Sequence, residues 1–162
     1  MAHRPIDKQH HVARLCGHQR LQRDPVSGEI VAVWPAAFEL RVKENETYLS
    51  ANWLEYFVGD VLEQLCQALA VLRGKMKRKI GPQSALLRLN VGEVLAAGEV
   101  QSIKLRVMHE MKKTDPAYAA IRGLPRDNGD KELLDLLSGM PSLSATEVAF
   151  LDSRKPPFGA MS

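Results

Sequence analysis

Cysteine is scarce in this chain: Cys16 and Cys66 are the only two in 162 residues, and no CxxC pair occurs. Two isolated thiols cannot staple a fold, and they suit a reducing compartment. Long apolar runs are missing as well. The most apolar stretch, residues 53–72, is interrupted by Glu55, Asp60, Glu63, Gln64 and Gln67. Those groups are costly in lipid, so the stretch reads as a water-exposed amphipathic helix and no membrane contact is expected. The opening MAHRPIDKQHH has no apolar core of the kind a secretory signal requires. Cytoplasm is the expected location.

Catalytic signatures are absent too. The chain holds no GxxxxGK[ST], no GxGxxG and no GxSxG, which sets aside the commonest NTPase, dinucleotide-binding and hydrolase arrangements. His109-Glu110 lacks the second histidine that a zincin helix needs. Aromatic residues make up 6% of the chain and none lies between Phe57 and Tyr118, so no rings interleave with the basic residues there.

What is present suffices for one folded domain. With 45% apolar and 25% charged residues, scattered without tracts, the chain can bury enough surface to offset the entropy of ordering. A single domain over 1–162 is expected, with loose ends at 1–9 and 154–162. The turn signal RDPVSGE, residues 23–29, separates an extended HHVARL from EIVAVW and predicts a hairpin connection. AFELRVK alternates Phe38, Leu40 and Val42 with polar residues, the period of a half-buried strand.

The sequence then predicts one long helix from Asn52 to Lys79. Asn52 and Glu55 have capping-box spacing, Ser50 also fits a cap, and Leu54, Val58, Val61, Leu62, Leu65, Leu69, Leu72 and Met76 recur at steps of three and four. Gly81-Pro82 ends it. Beyond it, ALLRLNV and SIKLRVMHEM alternate as strands and suggest an antiparallel pair joined by a turn-bearing GEVLAAGE. The segment DPAYAAIRGLP fits a strand or a helical turn. Asp130 opens a short helix that Gly139 and Pro141 close, and Ser144 with Glu147 has the spacing to start another. The expected class is α+β: a mostly antiparallel sheet packed against one long amphipathic helix, with shorter C-terminal helices.

Five basic residues, Arg73, Lys75, Lys77, Arg78 and Lys79, crowd the end of that helix, opposite Glu55, Asp60 and Glu63 near its start. The helix dipole favours this polarity by roughly 0.3–1 kcal/mol per well-placed charge, so capping electrostatics alone explains the run. At about 100° per residue the five ring the polar arc and do not form one face. Polyanion contact is the competing reading. The net charge of +3 is too small to decide between them.

Four of the five histidines, His3, His10, His11 and His18, lie near the start beside Cys16. Strand alternation would put His10, Arg14, Cys16 and His18 on one face, but no second cluster completes a tetrahedral metal site, and no metal is expected. Arg14 on an early strand and Tyr48-x-Ser50 further on broadly resemble the layout of ADP-ribosyltransferase-like folds. The likeness is one of layout and not of motif. It implies a nucleotide- or NAD-using transferase with a cleft around Arg14, Tyr48 and Ser50, with His10 and His18 as acid-base groups and Glu93, Glu99 or Glu110 as candidate acids. Tyr118 and Arg122, four apart, fit packing. The leading expectation is a small binding or accessory protein, one subunit of a larger assembly. It would meet an acidic protein surface or nucleic acid through the basic helix end and need no cofactor.

Overall fold

A computed structural model describes residues 3–76, 80–126 and 130–161, with side chains up to Arg154. The strands are β1 (Arg4–Pro5), β2 (His11–Cys16), β3 (Leu21–Arg23), β4 (Ile30–Val33), β5 (Tyr48–Trp53), β6 (Ala85–Asn90), β7 (Arg106–His109), β8 (Tyr118–Arg122) and β9 (Ser144–Glu147). The helices are α1 (Val61–Lys75), α2 (Val91–Val100), α3 (Lys131–Ser138) and α4 (Val148–Met161). Seven strands form one sheet in the order β1-β7-β8-β5-β2-β6-β9, and β3 and β4 form a separate two-stranded ribbon. Every pairing is antiparallel.

Alternation along the central strands sends apolar side chains to both faces, and each face gathers its own core. On one face Val12, Leu49, Ala51, Leu87, Leu89, Val107 and Ile121 pack with Phe38, with Val91 and Val94 of α2, and with Leu133 and Leu137 of α3. On the other, Ala13 and Leu86 pack with Leu65, Ala68 and Leu69 of α1 and with Val148 and Leu151 of α4. This second core takes no buried residue from β5, β7 or β8. That half of the sheet face is therefore left largely to polar side chains of β5, β7 and β8.

The antiparallel α+β architecture is present, but the single long helix is not. Residues 48–53 are a strand because Leu49 and Ala51 alternate inward while Ser50 points out, a period of two that the helical reading overlooked. Leu54–Tyr56 forms one 3-10 turn, and Gly59 at φ +116° takes a backbone conformation that breaks any continuous rod. The helix is 15 residues long and begins after Asp60, whose carboxylate accepts from Glu63 N while Glu63 caps Asp60 N in return. The capping box is thus Asp60–Glu63 and not Asn52–Glu55. Val58, assigned to the apolar stripe, is 85% exposed.

Other departures share one cause: short apolar alternations are settled by their neighbours and not by their own period. Residues 35–38 and 42–44 are 3-10 turns and not a strand, although Phe38 and Leu40 are buried as expected. GEVLAAGE lies within helix α2, capped by Asn90, whose side chain accepts from Glu93 N. Strands β6 and β7 do not pair with each other. The turn at 23–29 joins β3 to β4, and β2 pairs elsewhere. Ser144–Glu147 is edge strand β9, and the helix starts only at Val148. Asp130 does cap α3, accepting from Leu133 N. At the ends, Arg4 and Pro5 pair with β7, Ile6 is buried, and α4 runs to Met161.

Candidate functional site

Three strands build a grid on the face that α1 and α4 leave uncovered. In register, Tyr48 of β5 stands beside Arg122 of β8, which stands beside Arg106 of β7. The next row is Ser50, Ala120 and Met108, and the third places Asn52 beside Tyr118. Residues two apart share a face, so this one set of pairings brings Tyr48, Ser50, Asn52, Tyr118, Arg122 and Arg106 to one side.

A hydroxyl chain runs through the grid. Ser50 Oγ and Tyr118 Oη are 2.7 Å apart, and Tyr118 Oη donates to Tyr48 Oη at 3.2 Å. The chain is consistent when Ser50 donates to Tyr118. Burial pushes the Tyr118 phenol well above its ordinary range, so it stays protonated and serves as a hydrogen-bonding group. Cations sit against the rings: Lys112 Nζ lies 3.8 Å and Lys75 Nζ 4.8 Å from the centre of Tyr118, and the Arg122 guanidinium lies 4.3 Å from that of Tyr48.

Two buried carboxylates hold the cations from within. Asp115, fully buried, accepts from Asn52 Nδ2 on both oxygens at 2.9 and 3.0 Å and from Lys75 Nζ at 2.8 Å. It thereby ties the end of α1 to the β7–β8 hairpin. Glu110 accepts two bonds from Arg122, from Nε at 2.5 Å and Nη2 at 2.7 Å. That bidentate pair holds the Glu110 carboxyl below the usual carboxylate range and raises the guanidinium in turn. Shallow recesses flank the grid, one of about 200 Å³ lined by residues 44–48 and Ser50, and one of about 490 Å³ lined by Ala70, Val71, Gly74, Lys75 and Thr114.

The residues singled out from sequence divide sharply. Tyr48 and Ser50 come together in the grid. Arg14 does not join them, because the pairing of Ala13 with Asn52 puts the Arg14 side chain on the opposite face. Its guanidinium donates to the carbonyls of Ala37 at 3.2 Å and Ser50 at 3.0 Å, and burial lowers it to about 10. His10 precedes β2, stacks on Trp53 and accepts from Trp53 Nε1 at 3.1 Å, while His18 lies in an exposed 3-10 turn. Arg14 and Cys16 do share a face of β2, but Cys16 is buried, burial raises its thiol, and His10 and His18 lie outside the strand, so the expected set of four does not assemble. Among the described residues no three His, Cys, Asp or Glu side chains gather to hold a metal ion.

The basic helix end also resolves into separate roles. Arg73 donates to Asp152 of α4 through two nitrogens at 2.5 and 2.7 Å, a bond between helices. Lys75 is the one that reaches the grid. Lys77, Arg78 and Lys79 lie outside the described residues. Sequence reasoning missed Asn52, Asp115, Lys112 and Arg106, and set Arg122 and Tyr118 down as packing. The signal was there in the alternation of Tyr118, Ala120 and Arg122, but only the strand assignment gives it meaning.

Comparisons with protein families, curated proteins and solved structures return no match. Among the described residues no helix is long and apolar enough to cross a membrane.

Proposed function

We propose that this protein acts by binding, as a small accessory subunit whose cationic sheet face engages the phosphate backbone of a nucleic acid. The observation that carries the reading is the fate of charge around the β7–β8 hairpin. Residues 101–126 hold six Lys and Arg (Lys104, Arg106, Lys112, Lys113, Arg122 and Arg126) against two acids, Glu110 and Asp115. Both acids are buried and already committed, one to Arg122 and one to Lys75. Lys104, Arg106, Lys112 and Lys113 are exposed and form no salt bridge among the described residues.

Arg106, in the row of Tyr48, and Lys112, against the Tyr118 ring, bring cations beside Tyr and Ser hydroxyls, and phosphate oxygens accept from both kinds of donor. The helix end contributes Lys75 at the margin of this surface. A transferase cleft around Arg14, Tyr48 and Ser50 is not supported by the opposite placement of Arg14. The test is fluorescence anisotropy of a labelled thymidine oligonucleotide of about 12 nucleotides, titrated at several salt concentrations. Affinity should fall as salt rises, with a slope of about 0.7 per phosphate engaged. No binding at low salt would end the nucleic-acid reading, and preferential binding of poly-glutamate would transfer the surface to an acidic protein partner.

A further inference from the structure

Arg106 and Arg122 stand directly opposite each other across β7 and β8. Glu110 N donates to Tyr118 O four residues along, so the even-numbered pairs of this ladder, Arg106 with Arg122 included, are the hydrogen-bonded ones, with Cα atoms about 5.5 Å apart. Like charges directly opposite destabilise a sheet. Glu110 relieves only one of them. It engages Nε and Nη2 of Arg122, and no bond is made by Nη1 among the described residues. The Arg106 side chain is exposed and makes no hydrogen bond or ion pair within the described residues. Tyr48 completes the row on the far side of Arg122.

Resting on the nucleic-acid reading, we infer that this row is a phosphate clamp: one phosphodiester group bridges Arg106 and the free Nη1 edge of Arg122, with the Tyr48 hydroxyl at the row's end. Two guanidiniums on directly opposed residues offer planar, forked donors that a single tetrahedral anion can satisfy together, which Lys pairs do less well. Glu110 prepares the clamp. It holds Arg122 by Nε and Nη2, with the guanidinium 4.3 Å from the centre of the Tyr48 ring, and leaves Nη1 unused. The phosphate supplies the negative charge that the Arg106–Arg122 pair lacks, so the clamp is the point on the surface where binding relieves a cost already present in the fold. The lysines at 112 and 113 then follow the backbone toward the hairpin tip.

Arg106→Gln is the decisive variant because Arg106 makes no internal bond that folding depends on. Against the same oligonucleotide, the salt slope of R106Q should drop by about 0.7, the share of one phosphate. Lys131→Gln, on α3 and against the other face of the sheet, should leave the slope unchanged. Arg106→Lys should restore part of the slope but bind more weakly than wild type, since an ammonium cannot fork. If K112Q lowers the slope while R106Q does not, the clamp is wrong and the broader binding reading survives. If K131Q and R106Q lower it equally, the attraction is diffuse and the clamp is again wrong. If the wild-type protein does not bind the oligonucleotide at low salt, both fall together.

Discussion

Replacing Asp115 with alanine should expose how far the polar face depends on a buried carboxylate. The side chain is fully buried, and it alone satisfies the Asn52 amide within the sheet while pairing with Lys75. Alanine leaves the buried amide donors unpaired, a cost of about 1–3 kcal/mol. It also strands the Lys75 ammonium, but that side chain is 28% exposed, so water recovers part of the loss. The total comes to about 3 kcal/mol, the lower end of what breaking a buried ion pair costs. With a urea m-value of about 2 kcal/mol/M, the unfolding midpoint should fall by about 1.5 M. Tryptophan fluorescence reports the transition, because Trp53 lies on the same strand as Asn52. Asp115→Asn keeps one acceptor and should lose about half as much. The reasoning also requires coupling: D115A combined with Lys75→Met should cost less than the two single changes summed, since each already removes the shared contact. A loss under about 0.5 kcal/mol in D115A, or strict additivity in the cycle, would refute the view that this carboxylate organises the face.

Further outcomes follow from other parts of the molecule. Glu110 is held below the usual carboxylate range by Arg122. Its folded form therefore binds protons less readily than its unfolded form, and the stability it contributes is present above pH of about 4 and lost as pH falls through the folded value. Denaturation curves between pH of about 6 and 3 should show wild type losing more stability than Glu110→Gln, and equal losses would remove the pair from the account. Asp60→Ala removes the side-chain half of the α1 capping box, the acceptor for Glu63 N, and should cost about 1 kcal/mol by urea melts, with the β-sheet circular dichroism unchanged. Gly98→Ala would place a methyl 2.6 Å from the Ile103 carbonyl and 2.8 Å from Leu105 Cγ. It should destabilise by about 1–3 kcal/mol, and a neutral result would show that α2 can move off β7. Cys66, half-buried, should react with a thiol reagent in the native state well before Cys16, which is 2% exposed and should react only on unfolding.

Much of this molecule was determined by the sequence by itself wherever local and non-local preferences agree. Strands β2 and β6 have buried residues at both faces, and α3 has both its Asp130 cap and its apolar side, so each is legible from spacing alone. Asp60–Glu63 was legible too, although the earlier apolar residues of the stripe masked it. Only the tertiary structure decided residues 48–59. There the three-and-four spacing of Leu54, Val58 and Val61 competes with the two-spacing of Leu49 and Ala51. A strand slot between β2 and β8 settled it: residues 48–52 pair with β8, Asn52 and Trp53 pair with β2, and Arg14 donates to Ser50 O. The candidate site was hidden for the same reason. Tyr48, Arg122 and Arg106 are spread over 75 positions of sequence and become neighbours only through the register of β5, β8 and β7. Composition reveals that the chain is mildly basic, but pairing between distant strands decides which cations are spent on buried carboxylates and which are left facing outward.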